Sequence, residues 1–247
     1  MLTEERLQGI ERIVKEKGSA SIPELMERMG ISESTARRDL TLLDKQGRLQ
    51  KVRGGAMIIG DVYSTKEDTV LQKKDRNLEE KVEIAKYAAS LIEPNDFVYL
   101  DAGTTTACML SFLTEKSATF VTNAVAHAKT LAAAGFRVYL VGGELKGSTE
   151  AVVGNQALMN LQSYHFTKGF FGTNGISRQS GLTTPDMNEA MVKKTAMGQC
   201  RECFILADHS KFGNVSSVTF GAFQSGTILT DDCPEEYKSS GNVVICG

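Results

Sequence analysis

The sequence predicts an α/β protein in which a small winged helix-turn-helix domain precedes a larger Rossmann-like domain. Two helical patterns separated by a Gly-Ile-Ser turn at residues 30–32 indicate the first domain. Short strands rich in β-branched or aromatic residues alternate with helices beyond residue 78, which indicates a mostly parallel sheet with helices on both faces. A chain of 247 residues, 41% of them hydrophobic, is long enough to bury a core in each domain.

Residues 1–56 carry the signals of three helices and a hairpin. The first helix is predicted over 3–17, where apolar residues recur at helical spacing. Ser21 caps the second helix and Ser32 caps the third, since a serine hydroxyl accepts from a free amide of the first turn. The basic segment from Arg48 to Ala56 then predicts the hairpin, or wing, of a winged helix.

The third helix is expected to present a polar face to DNA. Ala36, Leu40 and Leu43 recur at i, i+4 and i+7 and form its buried stripe, so the opposite face is exposed. Residues 36–53 hold six basic residues against two acidic ones, which suits contact with phosphates. The expected DNA contacts are Ser34, Thr35, Arg37, Arg38, Thr41, Lys45, Lys51 and Arg53. A structural or protein-binding module remains the alternative for a three-helix unit.

Residues 57–77 lack periodicity and predict a linker, so that the second domain covers 78–247. Asn77 and Glu80 have the spacing of a capping box at the start of a helix. That helix is expected to carry the apolar residues Val82, Ile84, Ala85, Ala88, Ala89, Leu91 and Ile92.

Strands and helices alternate through the second domain. The strands are predicted at 97–100, 119–121, 137–141, 169–171 and 204–207, and the helices near 105–114, 124–134, 155–161 and 187–198. The carboxyl ends of parallel strands share one edge of a sheet, where such folds bind ligands. We therefore expect a small polar ligand at this edge.

The segment Asp101–Thr106 is the strongest candidate for a phosphate-binding loop. Gly103 would allow a tight turn, and free amides at the helix start would bind the anion with the help of threonine hydroxyls. The sequence contains neither a Walker A loop nor Gly-x-Gly-x-x-Gly. The candidate ligand-binding residues are Asp101, Gly103, Thr104, Thr105, Thr106, Thr122, Asn123, Gly142, Gly143, Glu144, Gly172, Asn174, Glu189, Lys193 and Lys211.

Several residues have simpler interpretations. Glu189 and Lys193 have the i, i+4 spacing of a surface ion pair, and His127 is expected to be structural or exposed. The five cysteines are expected to be free thiols, since Cys200 and Cys203 have no second ligand pair at metal-binding spacing. We expect no metal, no cofactor and no catalytic residue.

The chain resembles the DeoR family of bacterial transcriptional regulators. The motifs that carry the resemblance are Ser32–Leu40, Arg53–Ala56, Leu100–Thr106, Val121–Asn123, Gly142–Glu144, Glu189–Lys193 and Ala207–Gly213. The resemblance implies a DNA-binding domain followed by a sensor domain related in fold to ribose-5-phosphate isomerase. It also implies that a phosphorylated sugar binds the sensor domain and weakens the binding of the protein to operator DNA.

Within the family, Phe166–Gly175 and Thr183–Asp186 most resemble the fructose operon repressors of Gram-positive bacteria. This implies fructose 1-phosphate as effector, with the tagatose 6-phosphate of the lactose operon repressors as the second candidate. The alternative is a sugar-phosphate isomerase-like enzyme with a helical N-terminal domain, although a basic wing serves no purpose in isomerase catalysis. A cytoplasmic protein without a membrane partner is expected, because no run of about 20 apolar residues occurs. We also expect a homo-oligomer.

Overall fold

The computed structural model describes residues 3–17, 19–52, 54–58, 62–64 and 69–246. The chain divides into two compact units, Met1–Val62 and Tyr63–Gly247. The division lies six residues beyond the expected end of the first domain. Within the segment 57–77, which was expected to be a linker, lie a short strand and a short helix capped by Thr69.

The N-terminal unit contains three helices and a small antiparallel sheet of strand order β1-β3-β2. Its elements are α1 (Thr3–Lys17), β1 (Ser19–Ser21), α2 (Ile22–Met29), α3 (Glu33–Lys45), β2 (Leu49–Val52) and β3 (Gly55–Ile58). The hydroxyls of Ser21 and Ser32 accept from the first turns of α2 and α3, as predicted. Gly55 permits close packing of β3 against β1, because a Cβ there would lie 2.2 Å from the Ala20 carbonyl oxygen. The predicted winged helix-turn-helix is confirmed.

The inner face of α3 is wider than the predicted apolar stripe. Ala36, Leu40 and Leu43 are fully buried, and Asp39 lies beside them with only 2% of its surface exposed. The Asp39 carboxylate accepts from the Arg6 guanidinium of α1 at 2.5 and 3.0 Å. This ion pair compensates the desolvation of Asp39 and joins α1 to α3.

The C-terminal unit alternates strands and helices around a parallel sheet. Its elements are β4 (Val62–Ser64), α4 (Val70–Lys74), α5 (Leu78–Ser90), β5 (Phe97–Leu100), α6 (Thr104–Met109), β6 (Thr119–Thr122), α7 (Val125–Ala133), β7 (Arg137–Leu140), β8 (Glu144–Lys146), β9 (Ala151–Val153), α8 (Asn155–Gln162), β10 (Phe166–Gly172), β11 (Gly175–Ser177), β12 (Gly181–Thr184), α9 (Met187–Gly198), β13 (Cys200–Leu206), a 3-10 turn (His209–Lys211), β14 (Asn214–Ser216), β15 (Val218–Gly221), β16 (Thr227–Thr230), α10 (Glu235–Lys238) and β17 (Val243–Ile245).

Seven parallel strands form the main sheet in the order β17-β16-β13-β10-β5-β6-β7. The chain runs outward from β5 to one edge and returns to β10, so the strand order reverses between β5 and β10. Val98 and Leu100 of β5 enter one hydrophobic core and Tyr99 enters the other, which places a core on each face of the sheet. The predicted α/β class is confirmed, and a ligand is expected in the crevice where the order reverses.

The start of α5 differs from the sequence-based expectation. Asn77 adopts a left-handed conformation (φ 51°) and its side chain does not cap the helix, so the predicted capping box with Glu80 is wrong. Its amide instead donates to the Asp208 carboxylate at 2.8 Å. Lys81 lies on the buried face of α5 with 3% of its surface exposed, whereas Val82 is 36% exposed.

Candidate functional site

The exposed face of α3 carries most of the predicted DNA contacts. Ser34, Arg37, Arg38 and Lys45 are exposed, and Thr35 is half-buried. Arg37 is paired with Glu33 one turn earlier at 2.6 Å. Among the residues that the structure describes, Arg38 and Lys45 make neither a hydrogen bond nor an ion pair, so their cationic groups are available to phosphates or base edges. Ser34 and Thr35 share hydrogen bonds with the Ser32 cap.

The wing is attached to α3 through polar contacts. Lys51 of β2 donates from Nζ to the Thr41 hydroxyl at 2.7 Å, and its backbone amide donates to Asp44 at 2.7 Å. Arg48 is held instead by Glu4 and Glu11 of α1, at 3.1 and 2.8 Å, so it contributes to the domain's interior contacts. Arg53 lies outside the described residues.

The reversal point of the main sheet holds a buried ion pair. Asp101 follows β5, is 1% exposed, and contacts the Lys193 ammonium of α9, which is 4% exposed. The Gly172 amide at the end of β10 donates to Asp101 Oδ2 at 3.0 Å, and Lys193 donates to the Gly172 carbonyl at 3.0 Å. Burial raises the pKa of Asp101, and the adjacent Lys193 opposes that rise. Three predicted ligand residues from three elements therefore meet at one point.

The threonines after Asp101 differ in what their hydroxyls contact. Thr106 is fully buried and donates to the carbonyls of Asp101 and Gly103 at 2.7 and 3.0 Å, so its hydroxyl shapes the loop from within. The hydroxyls of Thr104 and Thr105 make no hydrogen bond to any described residue. Gly103 has φ −177°, an extended conformation open to every residue type, so the predicted need for glycine in a tight turn is wrong. The space is limited instead, since a Cβ there would lie 3.2 Å from Thr106 Oγ1.

Thr122 and Asn123 at the end of β6 are both buried, and Asn123 contacts the loop after β5. Asn123 is 2% exposed and accepts from the Ala102 amide at 2.9 Å, while its own amide donates to the Val152 carbonyl at 3.3 Å. The buried Thr122 hydroxyl accepts from the Ala124 amide at 3.1 Å. Both side chains therefore have partners within the protein, and Asn123 positions the loop, whereas Thr122 holds the start of α7.

The predicted Glu189–Lys193 pair does not form, because each residue has another partner. Glu189 accepts from Lys146 at 3.3 Å and from the Thr149 hydroxyl. Lys146 also contacts Asp186, the N-cap of α9, at 3.1 Å. Lys146 was missed by sequence reasoning, because nothing in its short strand pointed to a partner 40 residues away.

The remaining predicted residues near this edge are glycines and exposed or half-buried polar groups. Gly142, Gly143 and Glu144 are exposed. Gly143 has φ 150°, and a Cβ there would lie 2.5 Å from the Val153 carbonyl oxygen, so the chain requires glycine at this point. The Asn174 side chain accepts from the Thr184 hydroxyl at 3.2 Å.

A second polar cluster follows β13. Asp208 is 1% exposed; burial favours its protonated form, but Lys211 and hydrogen bonds from Ser210 and Asn77 hold its pKa below the usual value. Lys211 Nζ lies 3.7 Å from Asp208 Oδ2. Burial lowers the pKa of Lys81, and the Asp208 carboxylate opposes that shift. Lys81 was missed although its spacing to Ile84 and Ala88 places it on the buried face of α5.

His127 on α7 is another buried titratable group near the loop. It is 5% exposed, and Nδ1 has no hydrogen-bond partner among the described residues. Burial lowers its pKa to about 4, while the Gly103 backbone opposes that shift, so the ring is neutral at pH 7. His127 was expected to be structural or exposed; it is buried, and nothing in the sequence indicated its position beside Gly103.

Known proteins resemble both units of the chain. Residues 6–61 match the DeoR-like helix-turn-helix domain, and residues 76–232 match the DeoR C-terminal sensor domain. An uncharacterized HTH-type transcriptional regulator, FruR, of Bacillus subtilis (strain 168) is 42% identical over 95% of this chain and 93% of its own. The lactose phosphotransferase system repressor of Streptococcus mutans serotype c is 33% identical over 96% of this chain and 95% of its own.

A second repressor and a solved isomerase structure are also similar to the chain. The lactose phosphotransferase system repressor of Staphylococcus aureus (strain NCTC 8325 / PS 47) is 35% identical over 95% of this chain and 94% of its own. Ribose 5-phosphate isomerase A of Methanocaldococcus jannaschii aligns over 55% of each chain with a TM-score of 0.41 and 16% identity. None of the described helices has the length and apolar content needed to cross a membrane. With both domain families matched in order, and relatives above 30% identity along nearly its whole length, the chain belongs to the DeoR family of transcriptional regulators.

Proposed function

We propose that the protein represses a sugar-utilisation operon and leaves its operator when a phosphorylated sugar binds the C-terminal unit. The observation that carries the sensor assignment is the buried Asp101–Lys193 pair at the point where the strand order reverses. A buried pair of this kind is costly to desolvate and is better explained by ligand recognition at the sheet edge than by stability.

The DNA-binding part of the proposal depends on the free cations of α3. Arg38 and Lys45 face solvent without a partner among the described residues, and Lys51 extends the same charge onto the wing. Phosphate contacts supply much of the affinity for DNA, and an arginine in the major groove can read guanine. We assign α3 as the recognition helix and β2–β3 as the wing.

The sugar-phosphate part of the proposal depends on the polar atoms at the sheet edge that are left to contact a ligand. Both contacts of the Asp101 carboxylate fall on Oδ2, which leaves Oδ1 to accept from a sugar hydroxyl. The first amides of α6 have no intrahelical acceptor, and the hydroxyls of Thr104 and Thr105 add further donors beside them. We assign the phosphate to this loop, and we assign Lys81 and Lys211, which lie beside Asp208 after β13, as the cationic groups that assist it.

Fructose 1-phosphate is the effector that we favour, and tagatose 6-phosphate is the second candidate. The motifs at Phe166–Gly175 and Thr183–Asp186 resemble those of fructose operon repressors. FruR of Bacillus subtilis is 42% identical to this chain, against 33% and 35% for two lactose phosphotransferase system repressors.

A binding assay on the full chain tests this assignment. Thermal unfolding is measured with fructose 1-phosphate, tagatose 6-phosphate, fructose or inorganic phosphate. A ligand at about 100 times its Kd stabilises the folded chain by about 2.7 kcal/mol, so the effector raises the Tm and the unphosphorylated sugar does not. If no sugar phosphate shifts the Tm, the sensor assignment is wrong. If NMR shows conversion of the bound sugar phosphate at enzymatic rates, the isomerase alternative replaces it.

A further inference from the structure

Three metal-binding side chains from separate parts of the sequence meet beside the second polar cluster. Glu80 lies in the first turn of α5, His209 begins the 3-10 turn after β13, and Asp231 directly follows β16. One potential ligand atom from each lies within 4.8 Å of the other two. Glu80 and Asp231 are half-buried, and the His209 side chain is 42% exposed. We propose that Glu80, His209 and Asp231 form a site for a divalent transition-metal ion, with Zn²⁺ as the best-suited occupant.

The geometry of His209 and Asp231 prepares two of the ligands. The His209 backbone amide donates to Asp231 Oδ1 at 2.8 Å, and ring Nδ1 lies 2.6 Å from Asp231 Oδ2. Zinc binds imidazole nitrogen and carboxylate oxygen at about 2.0–2.2 Å. Two ligands of one tetrahedral ion then lie about 3.3 Å apart, so this contact has to open by less than about 1 Å. The ion takes the place of the proton between them. A protonated ring releases that proton to solvent, and a neutral ring keeps its one proton on Nε2, so the imidazole that binds the ion is neutral in both cases.

Glu80 supplies the third ligand. It makes no hydrogen bond or ion pair with the described residues, yet it lies close enough to His209 to favour a positive charge on the ring. Even a protonated imidazole leaves these three residues with a net negative charge. Behind them lies the buried carboxylate of Asp208, which is offset by Lys211 at 3.7 Å. A divalent ion with neutral imidazole would bring the charge of the three residues to zero.

The donor set indicates the class of ion. One imidazole and two carboxylates suit Zn²⁺ and its first-row neighbours, whereas Mg²⁺ and Ca²⁺ prefer oxygen alone. Three protein ligands leave a coordination position for water. The ion would join the start of α5 to the ends of β13 and β16, and would therefore stabilise the folded C-terminal unit.

The test uses the full chain, freed of metal with EDTA and titrated with Zn²⁺ against a chromogenic chelator. We expect one Zn²⁺ per chain and a Tm that rises with the metal. Glu80→Gln, a substitution at a half-buried side chain without a hydrogen bond in the described structure, should keep the metal-free Tm and weaken Zn²⁺ binding at least about tenfold. Asp231→Asn and His209→Ala should abolish the one-to-one binding.

Two control variants distinguish this site from zinc binding elsewhere on the chain. His165→Ala removes an exposed histidine, and Cys200→Ser removes a thiol that could bind Zn²⁺; both variants should bind Zn²⁺ like the parent. The proposal is overturned if the parent binds no Zn²⁺, or if Glu80→Gln and His209→Ala bind it as tightly as the parent. If His209→Ala has a lower Tm than the parent, and Zn²⁺ changes the Tm of neither the parent nor any variant, the three residues form an ion pair and not a metal site.

Discussion

At the scale of single residues, two arginines of the N-terminal unit have opposite surroundings. Arg38 is exposed and has no partner among the described residues, whereas Arg48 is held by Glu4 and Glu11. Arg38→Ala should therefore weaken operator binding by about 1–3 kcal/mol at fixed salt and leave the free energy of unfolding within about 0.5 kcal/mol of the parent. Fluorescence anisotropy with an operator selected from a random duplex library measures the first quantity, and urea unfolding measures the second.

Arg48→Ala is the matched control for this prediction. It should lower the free energy of unfolding, because it leaves the carboxylates of Glu4 and Glu11 without their cation. At a temperature where the variant is folded, it should alter operator affinity less than Arg38→Ala does. The docking of α3 is contradicted if Arg38→Ala binds the operator as tightly as the parent.

The threonines of the loop after β5 allow a second comparison between residues. Thr104→Ala removes a hydroxyl that has no partner in the described structure, so it should weaken effector binding by about 1.5–3 kcal/mol with little change in stability. Thr106→Val removes two internal hydrogen bonds and should instead lower the free energy of unfolding by about 1–3 kcal/mol. Calorimetry with the sugar phosphate that raises the Tm separates the two effects. Unchanged affinity in both Thr104→Ala and Thr105→Ala would place the phosphate elsewhere.

At the scale of the elements, the beginning of β10 depends on a buried carboxylate. Asp96, 7% exposed, accepts from the Lys168 ammonium at 2.9 Å, the Thr167 hydroxyl at 2.7 Å and the Glu93 amide at 2.8 Å. Burial favours the neutral acid, but these donors outweigh it and lower the pKa of Asp96 below its usual value. Its contribution to stability is therefore complete above about pH 4 and is lost as the pH falls through the lowered native pKa.

Asp96→Asn should accordingly lower the free energy of unfolding by about 1–3 kcal/mol at pH 7, and by less as the solution is acidified below pH ~4. Urea unfolding across pH 3–7 measures the difference. Glu93→Gln, at a largely exposed partner of Lys168, should cost less than about 1 kcal/mol. A difference between Asp96→Asn and parent that is constant with pH would mean that Asp96 has the same pKa in the folded and unfolded chains, and would contradict the lowered native pKa.

The elements that the sequence predicted well are those with a clear period or cap. Helix α9 was predicted over 187–198 and has those bounds, because its apolar residues recur at helical spacing after the Asp186 cap. Strands β16 and β17 were missed, since they have four and three residues and owe their pairing to β13. Pairing between distant segments leaves little trace in a local pattern.

The same limit applies to the candidate site. The tips of β5, β6 and β10 were found because parallel strands end at one edge, and Asp101, Gly172 and Lys193 do meet there. Lys146 and the partner of Asn77 depend on tertiary contacts across 43 and 131 residues, which spacing alone does not reveal. Lys81 was recognisable from the sequence as a lysine on an apolar helix face.

At the scale of the whole molecule, the proposed function requires that a ligand bound to one unit changes the affinity of the other unit for its own ligand. A sugar phosphate that binds the C-terminal unit must weaken operator binding, and the operator must weaken sugar-phosphate binding by the same factor, because linkage between two binding sites is reciprocal. A coupling of about 1–3 kcal/mol, or roughly 5- to 150-fold, is typical of such systems.

The most direct test closes this thermodynamic cycle on the full chain at one salt concentration. Operator affinity is measured by anisotropy with and without saturating fructose 1-phosphate. Affinity for fructose 1-phosphate is measured by calorimetry with and without saturating operator. Both measurements are repeated with tagatose 6-phosphate. The account predicts that one of the two sugars lowers operator affinity, and that the operator lowers affinity for that sugar by an equal factor. A sugar phosphate that binds tightly and leaves operator affinity unchanged would contradict it.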